Sequence, residues 1–268
     1  MSSPNIIMPR LDFEKITDEI ARFIRNLVQE AIAKGVVIGL SGGVDSSLVA
    51  TLCVRSLDQT RVLGILMPTN FTPQEDVDDA IALAEWLGIR TKMINVQHLH
   101  GAFTQTLERE NTEPRSRVPV ANVLARIRMT LLYYYANRNN YLVAGTGDRS
   151  EDLIGYFTKH GDGGVDFLPI SHLYKTQVRA LAKYLGVPER IAYKPSSPQL
   201  YPGHQAIDEL PINYEQLDLV LVGLYDKTLS PHEVSQSTGI PLNVVNEVQQ
   251  RVKTLKHKRA YPPMVRAW

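Results

Sequence analysis

Apolar and polar positions at the start of the chain follow first a helical pattern and then a strand pattern. Over residues 11 to 34 the apolar side chains recur at steps of three and four, as one face of a helix requires. These positions are Ile16, Ile20, Phe23, Leu27 and Ala31. Residues 36 to 40 are a largely β-branched run, which is typical of a strand buried on both faces of a parallel sheet. A glycine turn leads from this strand into a second predicted helix, Ser46 to Ser56.

The alternation of strand and helix patterns then repeats. It predicts further strands at 61–67, 91–96 and 141–145, and further helices at 72–88 and 121–137. Thr72-Pro73-Gln74-Glu75 matches a capping box with proline at the first helical position. Because strands and helices alternate, we expect an α/β fold with a doubly wound parallel sheet and helices on both faces.

The pattern changes at about residue 195, where prolines punctuate a loop and only helical patterns follow. No repeat and no linker separates a second domain. We therefore expect one catalytic domain, 1–268, with an α/β nucleotide-binding core at 1–195. A loop and a helical C-terminal extension would occupy 196–268.

Composition and charge limit the classes of partner that this domain is expected to bind. The 29 lysines and arginines nearly cancel the 28 aspartates and glutamates, and the resulting charge of +1 gives no reason to expect a nucleic acid or membrane partner. No stretch is long and apolar enough to span a bilayer, and the start lacks a secretory signal, so we expect a cytoplasmic protein. The single cysteine, Cys53, excludes an intrachain disulfide and any two-cysteine metal site.

Candidate chemistry begins in the loop Gly39-Leu40-Ser41-Gly42-Gly43-Val44-Asp45-Ser46-Ser47, directly after the first predicted strand. Ligands of open α/β sheets bind beyond the carboxyl ends of the strands. The two adjacent glycines allow backbone N–H groups to approach an anion at a helix start, so a phosphate or pyrophosphate would fit. Asp45 would repel this anion unless a cation, typically Mg²⁺, lies between them. The alternative is a glycine-serine turn that only caps a helix.

Two later segments could complete this site. Gly145 to Asp152 follows the fourth predicted strand and should lie at the same edge of the sheet. Asp148 and Glu151 have the spacing of a helix cap, so Glu151 is either a cap partner or a ligand. Residues 155 to 166 form a glycine-rich loop that could close over substrate and exclude water, unless it is an ordinary surface turn.

The run Ser41-Gly42-Gly43-Val44-Asp45-Ser46 is similar to the signature of the N-type ATP pyrophosphatases, and this resemblance implies five parallel strands and AMP plus pyrophosphate as products. Three more motifs are a G-T-x-x-x-x-E turn at 145–151, an F-T-K-x-G-D-G-G-x-D loop at 157–166 and a His-Lys pair at 257–258. Together the four motifs resemble the ammonia-dependent NAD synthetases, from about Leu11 to Ala267.

The resemblance implies roles for individual residues. Asp45, Glu151 and Lys175 would be catalytic, with Asp45 and Glu151 holding Mg²⁺ and Lys175 neutralising phosphate charge. ATP would be bound by Gly39, Leu40, Ser41, Gly42, Gly43, Val44, Asp45, Ser46, Thr146, Lys175 and Ser197. Deamido-NAD would be bound by Arg126, Lys159, Asp166, His257 and Lys258. Ser197 replaces the threonine that is usual in the family.

Physical checks limit some of these roles. Arg126 and Arg128 are two residues apart on a predicted helix, about 200° around its axis, so only one of them can face the site. Residues 257–259 could simply be a solvated charge run at a helix end. Ala206 and Ile207 stand where relatives tend to have acidic residues, so any role of acids there is absent.

The implied reaction is ATP-dependent amidation of deamido-NAD with free ammonia through an acyl-adenylate. The resemblance also implies a homodimer, and the stretch Leu131 to Tyr135 could serve either as its interface or as core. Two alternatives stay open. A tRNA-modifying pyrophosphatase would need a basic domain or catalytic cysteines. A non-catalytic adenine-nucleotide-binding protein would need only the phosphate loop.

Overall fold

The fold is built on a four-stranded parallel sheet in a computed structural model that describes residues 5–107 and 117–265. The strands are β1 (Gly35–Gly39), β2 (Val62–Leu66), β3 (Arg90–Met93) and β4 (Tyr141–Ala144). They lie in the order β3-β2-β1-β4, and each neighbouring pair is parallel. All four strands predicted from the sequence are present, and their carboxyl ends meet at one edge of the sheet.

Helices connect the strands and then continue without strands to the end of the described chain. They are α1 (Phe13–Glu30), α2 (Val44–Leu57), α3 (Gln74–Leu87), α4 (Gln97–Leu107), α5 (Arg117–Asn139), α6 (Arg149–Ile154), α7 (Lys175–Tyr184), α8 (Glu189–Ala192), α9 (Tyr214–Leu221), α10 (Pro231–Thr238) and α11 (Leu242–Thr254). Among the described residues, no helix combines the length and apolar character that crossing a bilayer would require.

The central strand β1 supplies side chains to both faces of the sheet. Val36 and Ile38 pack with residues of α1, α2, α3 and α7 in one core cluster. Val37, between them, packs with α5 in a cluster on the other face. Since successive side chains of a strand point to opposite faces, the uninterrupted apolar run of β1 is what two covering helical layers require. The predicted doubly wound α/β class is confirmed.

The expectation of a fifth strand is wrong, because the sheet of the described residues has four strands. Beside β4, only Phe167 forms a parallel bridge, to Ala144. The backbone N–H of Gly145 donates to Phe167 O at 2.8 Å, and that of Asp166 donates to Val143 O at 3.0 Å. Pro169 follows two residues later and has no N–H to continue a ladder, so the pairing ends at this bridge.

The predicted capping box before α3 is also wrong. Thr72 Oγ1 accepts a hydrogen bond from Thr69 N at 2.9 Å and lies 3.0 Å from Thr69 Oγ1, so it stabilises a turn instead of the helix. Pro73 is the N-cap of α3, and no side chain caps that end. A capping box of Ser230 and Glu233, by contrast, begins α10.

The C-terminal helices enclose a second core cluster. Its residues come mainly from α9 to α11 and the π-helical turn Val222–Asp226. Ile6, Ile154 and Tyr174 also belong to it, although all three precede residue 195. The N-terminal segment and the ends of α6 and α7 therefore fasten the C-terminal helices to the α/β core, while the division at residue 195 stays a prediction.

Gly42 fixes the path of the chain from β1 into α2. Its φ of +78° lies in the left-handed region, which side chains disfavour. A Cβ at this position would lie 2.2 Å from the backbone oxygen of Asp76 in α3. At Gly43, the nearest atom to such a Cβ would be Ser41 Oγ at 3.4 Å. Only the first glycine is required by backbone conformation and close packing.

We expect Gly42→Ala to lower the free energy of unfolding by at least about 1–3 kcal/mol, because the left-handed backbone and the contact with α3 both oppose a side chain. Gly43→Ala, the matched control, should cost less than about 1 kcal/mol, the usual scale of a cap substitution. Urea unfolding followed by circular dichroism measures both. Equal losses for the two variants would contradict this role of Gly42.

Candidate active site

A cleft of about 1000 Å³ opens at the carboxyl ends of the strands. Its wall combines the loop after β1, the end of β2, α6 with the glycine-rich loop, and the segment from Pro195 to Ala206. This volume is at the upper end of the range for small-molecule and cofactor sites. The loop predicted to bind phosphate and the turn after β4 therefore share one cavity.

The loop after β1 is held together by its own serine side chains. Ser46 Oγ and Ser47 Oγ donate to Gly43 O at 3.1 and 2.8 Å. Ser41 N donates to Ser46 Oγ at 3.3 Å. Gly43 is the N-cap of α2, so the helix begins at Val44, two residues before the predicted start. The first-turn amides of α2, which have no acceptor within the helix, thus lie beside the cleft, as an anion site needs.

A buried lysine joins three carboxylates at one side of this cleft. Lys175 Nζ lies 2.8 Å from both carboxylate oxygens of Asp45, 2.9 Å from Asp148 Oδ2 and 2.9 Å from Glu151 Oε1. Tyr214 donates its hydroxyl to Glu151 Oε1 at 3.3 Å, and its ring centroid is 5.1 Å from Lys175 Nζ. Lys175 is the first residue of α7, where the helix dipole disfavours a cation, so the carboxylates are needed to hold it there.

The same burial changes the acidity of these groups. Burial raises the pKa of Glu151 to about 8 and that of Asp148 to about 6; neighbouring carboxylates add to both rises and Lys175 opposes them. Burial on its own would lower the pKa of Lys175, but the three carboxylates outweigh it and raise that pKa well above its usual value. Three acids thus share one ammonium group, and the excess negative charge favours a further cation or proton.

Glu151 reaches this cluster because Asp148 begins α6. Asp148 Oδ1 accepts from Glu151 N at 2.8 Å, so the predicted N-cap is confirmed. The cap interpretation of Glu151 is wrong, since its carboxylate binds Lys175 and Tyr214 instead. The sequence pattern had indicated the cap but not the ion pair between Asp148 and Lys175.

A second layer of hydrogen bonds, which includes the carboxylate of Asp218, positions Lys175. Ser150 Oγ accepts from Lys175 N at 2.9 Å and donates to Asp218 Oδ1 at 2.5 Å. Asp218 Oδ2 accepts from the backbone N and hydroxyl of Thr176 at 2.9 and 2.8 Å. Asp218 lies on α9, so this network connects α6, α7 and the C-terminal helices. Sequence reasoning missed Asp218 and Tyr214, which lie outside the four motifs, and Ser150, which occupies a variable position of the G-T-x-x-x-x-E turn.

The arrangement fits a divalent cation held jointly with substrate. The side chains of Asp45 and Glu151 are 21% and 19% exposed, while Lys175 and Asp148 are fully buried. Within the described ranges no group of three or more acidic, histidine or cysteine side chains forms a ready metal cage. Two carboxylates completed by phosphate oxygens are nevertheless a common divalent site in nucleotide enzymes.

Most residues predicted to bind ATP line the cleft. They are Gly39, Leu40, Ser41, Gly43, Val44, Asp45, Ser46, Thr146 and Ser197. Gly42 lies behind the loop against α3, and Lys175 lies beneath the carboxylates, so neither contributes to the wall. The Ser197 hydroxyl donates to His204 O, which fixes the segment that carries it. Their roles toward ATP stay predictions.

Four of the five residues predicted to bind deamido-NAD lie together at the rim. Arg126 Nη2 donates to Lys159 O at 3.2 Å, and Lys159 Nζ donates to His257 O at 3.2 Å. Lys258 Nζ donates to Gly155 O at 2.7 Å and is the only one of the five that lines the cleft of the described chain. The fifth residue, Asp166, lies apart.

Asp166 is exposed, but both of its carboxylate oxygens accept hydrogen bonds from other residues of the fold. Oδ2 accepts from Val143 N at 2.7 Å and Oδ1 accepts from Tyr133 OH at 3.0 Å. This carboxylate extends the hydrogen bonding of β4 where the expected fifth strand stops. Its binding of substrate stays a prediction, to which the structure adds a structural role.

The two arginines of α5 separate as the helical geometry requires. Arg126 is exposed at the rim, whereas Arg128 is partly buried and lines the cleft. Of this pair, the sequence reasoning assigned Arg126 to substrate and gave Arg128 no role. The spacing of Asn122, Arg126 and Arg128 could have indicated that Arg128 faces the cleft only if the orientation of the helix had been known.

Comparisons with known proteins find similarity over nearly the whole chain. The chain matches the NAD synthase family over residues 16–262. The NH(3)-dependent NAD(+) synthetase of Hyperthermus butylicus is 52% identical over 254 residues, which cover 94% of this chain and 91% of that protein. The solved NH3-dependent NAD synthetase from Campylobacter jejuni has a TM-score of 0.80 and 33% identity, covering 96% and 100% of the two chains. The NMN synthetase from Francisella tularensis has a TM-score of 0.82 and 29% identity, covering 95% and 99%.

We expect Glu151→Gln to flatten the fall of stability with rising pH. An acid whose pKa is higher in the folded state binds more protons there, so its stabilisation is present at low pH and is lost as pH rises toward about 8. Between pH 6 and 8, in metal-free buffer, the slope should become shallower by up to about 1.4 kcal/mol per pH unit. Urea unfolding at each pH measures it. The exposed Glu85→Gln is the control, and identical slopes in both variants would refute the assignment.

Proposed function

The chain belongs to the NAD synthase family, and on that premise we propose that its cleft joins ammonia to the nicotinate carboxylate of deamido-NAD, using ATP and releasing AMP and pyrophosphate. The proposal rests on one observation: the phosphate loop, which includes Asp45, lines the same cavity as Glu151. The sequence has a near-neutral charge balance and a single cysteine. Nothing in the site favours a tRNA-modifying enzyme.

The chemistry requires two steps because a carboxylate is a poor electrophile. In the first, a carboxylate oxygen attacks the α-phosphorus of ATP, and the bond to the β-phosphate bridging oxygen breaks. Pyrophosphate leaves with that electron pair. In the second, ammonia attacks the acyl carbon, AMP leaves with the carbon–oxygen bonding pair, and one proton passes to solvent. The loop amides beside Val44 to Ser46 would stabilise the charge of the leaving pyrophosphate.

Asp45 and Glu151 would hold Mg²⁺, the usual cation at such phosphate sites. When bound, the ion would supply positive charge against the pyrophosphate as it leaves. Lys175 keeps both carboxylates within 2.9 Å of one point, so the metal ligands are already gathered. For Lys175 to neutralise phosphate charge itself, its ammonium would have to leave at least one of these partners.

Free ammonia is the nitrogen source that this chain supports. A glutamine-hydrolysing site needs a reactive nucleophile such as a cysteine thiolate. Cys53 is fully buried in the core, and burial raises the pKa of its thiol to about 12. It therefore stays protonated and inaccessible at neutral pH.

A homodimer through α4 and α5 is part of the proposal. The stretch Leu131 to Tyr135 packs mostly on the sheet, and only Tyr134 of these five residues is exposed. Further exposed apolar side chains lie on the same two helices: Leu99, Phe103, Leu107 and Val118. Leu99, Phe103 and Leu107 are at steps of four and share one face of α4, and an exposed apolar face of this kind marks an interaction surface.

We expect the purified chain to form NAD from deamido-NAD, ATP, Mg²⁺ and ammonium, with AMP and pyrophosphate in equal amounts. Asp45→Asn and Glu151→Gln should each reduce turnover by about 100-fold or more, since each removes a charged metal ligand. Chromatographic quantification of NAD and AMP measures this. Full turnover in both variants would overturn the metal assignment.

Three controls sharpen this assay. Asp78→Asn changes an exposed acid on α3 outside the cleft and should keep wild-type turnover. Glutamine with ammonium rigorously excluded should give no product. Nicotinate mononucleotide in place of deamido-NAD tests the reaction named for the Francisella tularensis relative, and its preferential amidation would replace our substrate assignment.

Sedimentation velocity should show a dimer for the wild type and a monomer for Phe103→Glu, because a buried carboxylate at an apolar interface costs several kcal/mol without a partner. Ile32→Glu, at a position 83% exposed on the loop after α1, should leave the dimer intact. A monomeric wild type, or a dimer that survives Phe103→Glu, would refute this interface.

A further inference from the structure

Arg128 is a cation of the cleft to which neither the family motifs nor the mechanism above gives a role. Its side chain projects from α5 over the carboxyl end of β2. Nε donates to Met67 O at 3.3 Å, Nη1 to Pro198 O at 3.5 Å and Nη2 to Gln199 O at 3.3 Å. All three acceptors are neutral carbonyls, and all three distances are long for N–H···O bonds.

The positive charge of Arg128 is poorly compensated. None of the ion pairs within residues 5–107 and 117–265 includes it. Burial lowers its pKa to about 10, and only Asp162 acts in the opposite direction. A guanidinium has five N–H donors, so two are left over after the three carbonyl bonds. A partly buried cation in this state is costly unless an anion completes its surroundings.

Other cations of the cleft wall are better compensated. Lys194 binds Asp76 and Asp79, and Arg190 binds Asp79. Arg251 donates to Ile154 O and Lys258 donates to Gly155 O, both at the C-terminal end of α6, where the helix dipole favours a positive charge. The acceptors of Arg128 belong to a strand end and a loop, which offer no such dipole.

The position of Arg128 is next to the phosphate loop. Gly39 pairs with Ile65 in the sheet, and Ser41 and Met67 each follow two residues later, just beyond the ends of β1 and β2. Gln199, whose carbonyl accepts from Arg128, donates its side-chain Nε2 to Ser41 O at 3.4 Å. One turn along α5, Leu132 lies 3.7 Å from the point where a Cβ of Gly39 would be. The guanidinium therefore lines the same cleft as the loop that would hold ATP, at the end of β2.

We propose that Arg128 binds a phosphate group of a nucleotide substrate in the cleft, completing on the α5 side the anion site that the loop after β1 begins. The proposal rests on the proposed function, since it names a contact within the same cleft. The cleft then has two opposite charged sides. Asp45 and Glu151 attract a cation, and Arg128 attracts a phosphate oxygen through its planar pair of donors.

The test is equilibrium binding by calorimetry with wild type, Arg128→Gln and Arg128→Lys, each titrated separately with ATP, AMP, adenosine and deamido-NAD. Arg128→Gln should weaken ATP binding by about 10- to 100-fold, as loss of a charge-assisted hydrogen bond does. Adenosine, which has no phosphate, should bind to Arg128→Gln with the same affinity as to the wild type. Arg128→Lys keeps the charge but not the planar pair of donors, so its affinity for ATP should fall by about 3- to 10-fold.

The ligand series identifies which phosphate is bound. An equal loss for AMP and ATP assigns the contact to the α-phosphate, and a loss for ATP alone assigns it to the β- or γ-phosphate. A loss for deamido-NAD alone assigns it to the diphosphate of that substrate. Arg138→Gln, an exposed arginine further along α5, is the matched control and should bind all four ligands normally.

Two results would overturn the proposal. If adenosine affinity falls in parallel with ATP affinity in both variants, Arg128 only holds the 198–199 segment in place. If no ligand is affected, it has no binding role. Should Arg128→Gln fail to fold, the adenosine-to-ATP comparison in Arg128→Lys decides the question. Failure of the proposed function is distinguishable, because it would show as missing NAD product from wild-type protein whose nucleotide binding still depends on Arg128.

Discussion

The ion cluster around Lys175 is the interaction on which the site depends. It joins the start of α2 through Asp45, the first turn of α6 through Asp148 and Glu151, and the first residue of α7. An ammonium at a helix start, fully buried, is stable only with such partners. Loss of Lys175 would leave three neighbouring carboxylates without their shared ammonium, so this side chain holds the three helices that carry the chemistry in one arrangement.

The two sides of the cleft have opposite charges that the substrates can neutralise. One side has an excess of carboxylates over ammonium, and the other has a guanidinium bonded only to neutral carbonyls. A nucleotide with its cation would satisfy both, which a neutral ligand could not. This polarity explains why a chain with a net charge of +1 can hold polyphosphate substrates: local placement decides binding, and the overall balance does not.

The motif residues divide into those that line the cleft and those that assemble it. Lys258 donates to Gly155 O, and Arg259 donates to the carbonyls of Asp152 and Leu153 at the end of α6. Lys159 in turn donates to His257 O. The late charged run, which could have been a solvated helix end, thus binds the helix that carries Glu151 and the glycine-rich loop that follows it. Any role it has toward substrate would be exerted from this anchored position.

Much of this protein could be determined from the sequence alone. Hydrophobic periodicity is local, so it predicted four strands and the class of fold. The phosphate loop was recognisable because its glycines and serines are consecutive and their function lies in the backbone. Resemblance supplied Asp45 and Glu151, and the one-face rule for helices established that Arg126 and Arg128 diverge.

Only the tertiary structure decided which side chains meet. The absence of a fifth strand beside β4 and the burial of Lys175 depend on neighbours far along the chain. So does the choice of Arg128 over Arg126 as the arginine at the cleft, since spacing gives the angle between two side chains but not which of them faces the sheet. The contacts of Asp148 with Lys175, and of Ser150 with Asp218, leave no pattern in the sequence, because packing in three dimensions alone brings them together.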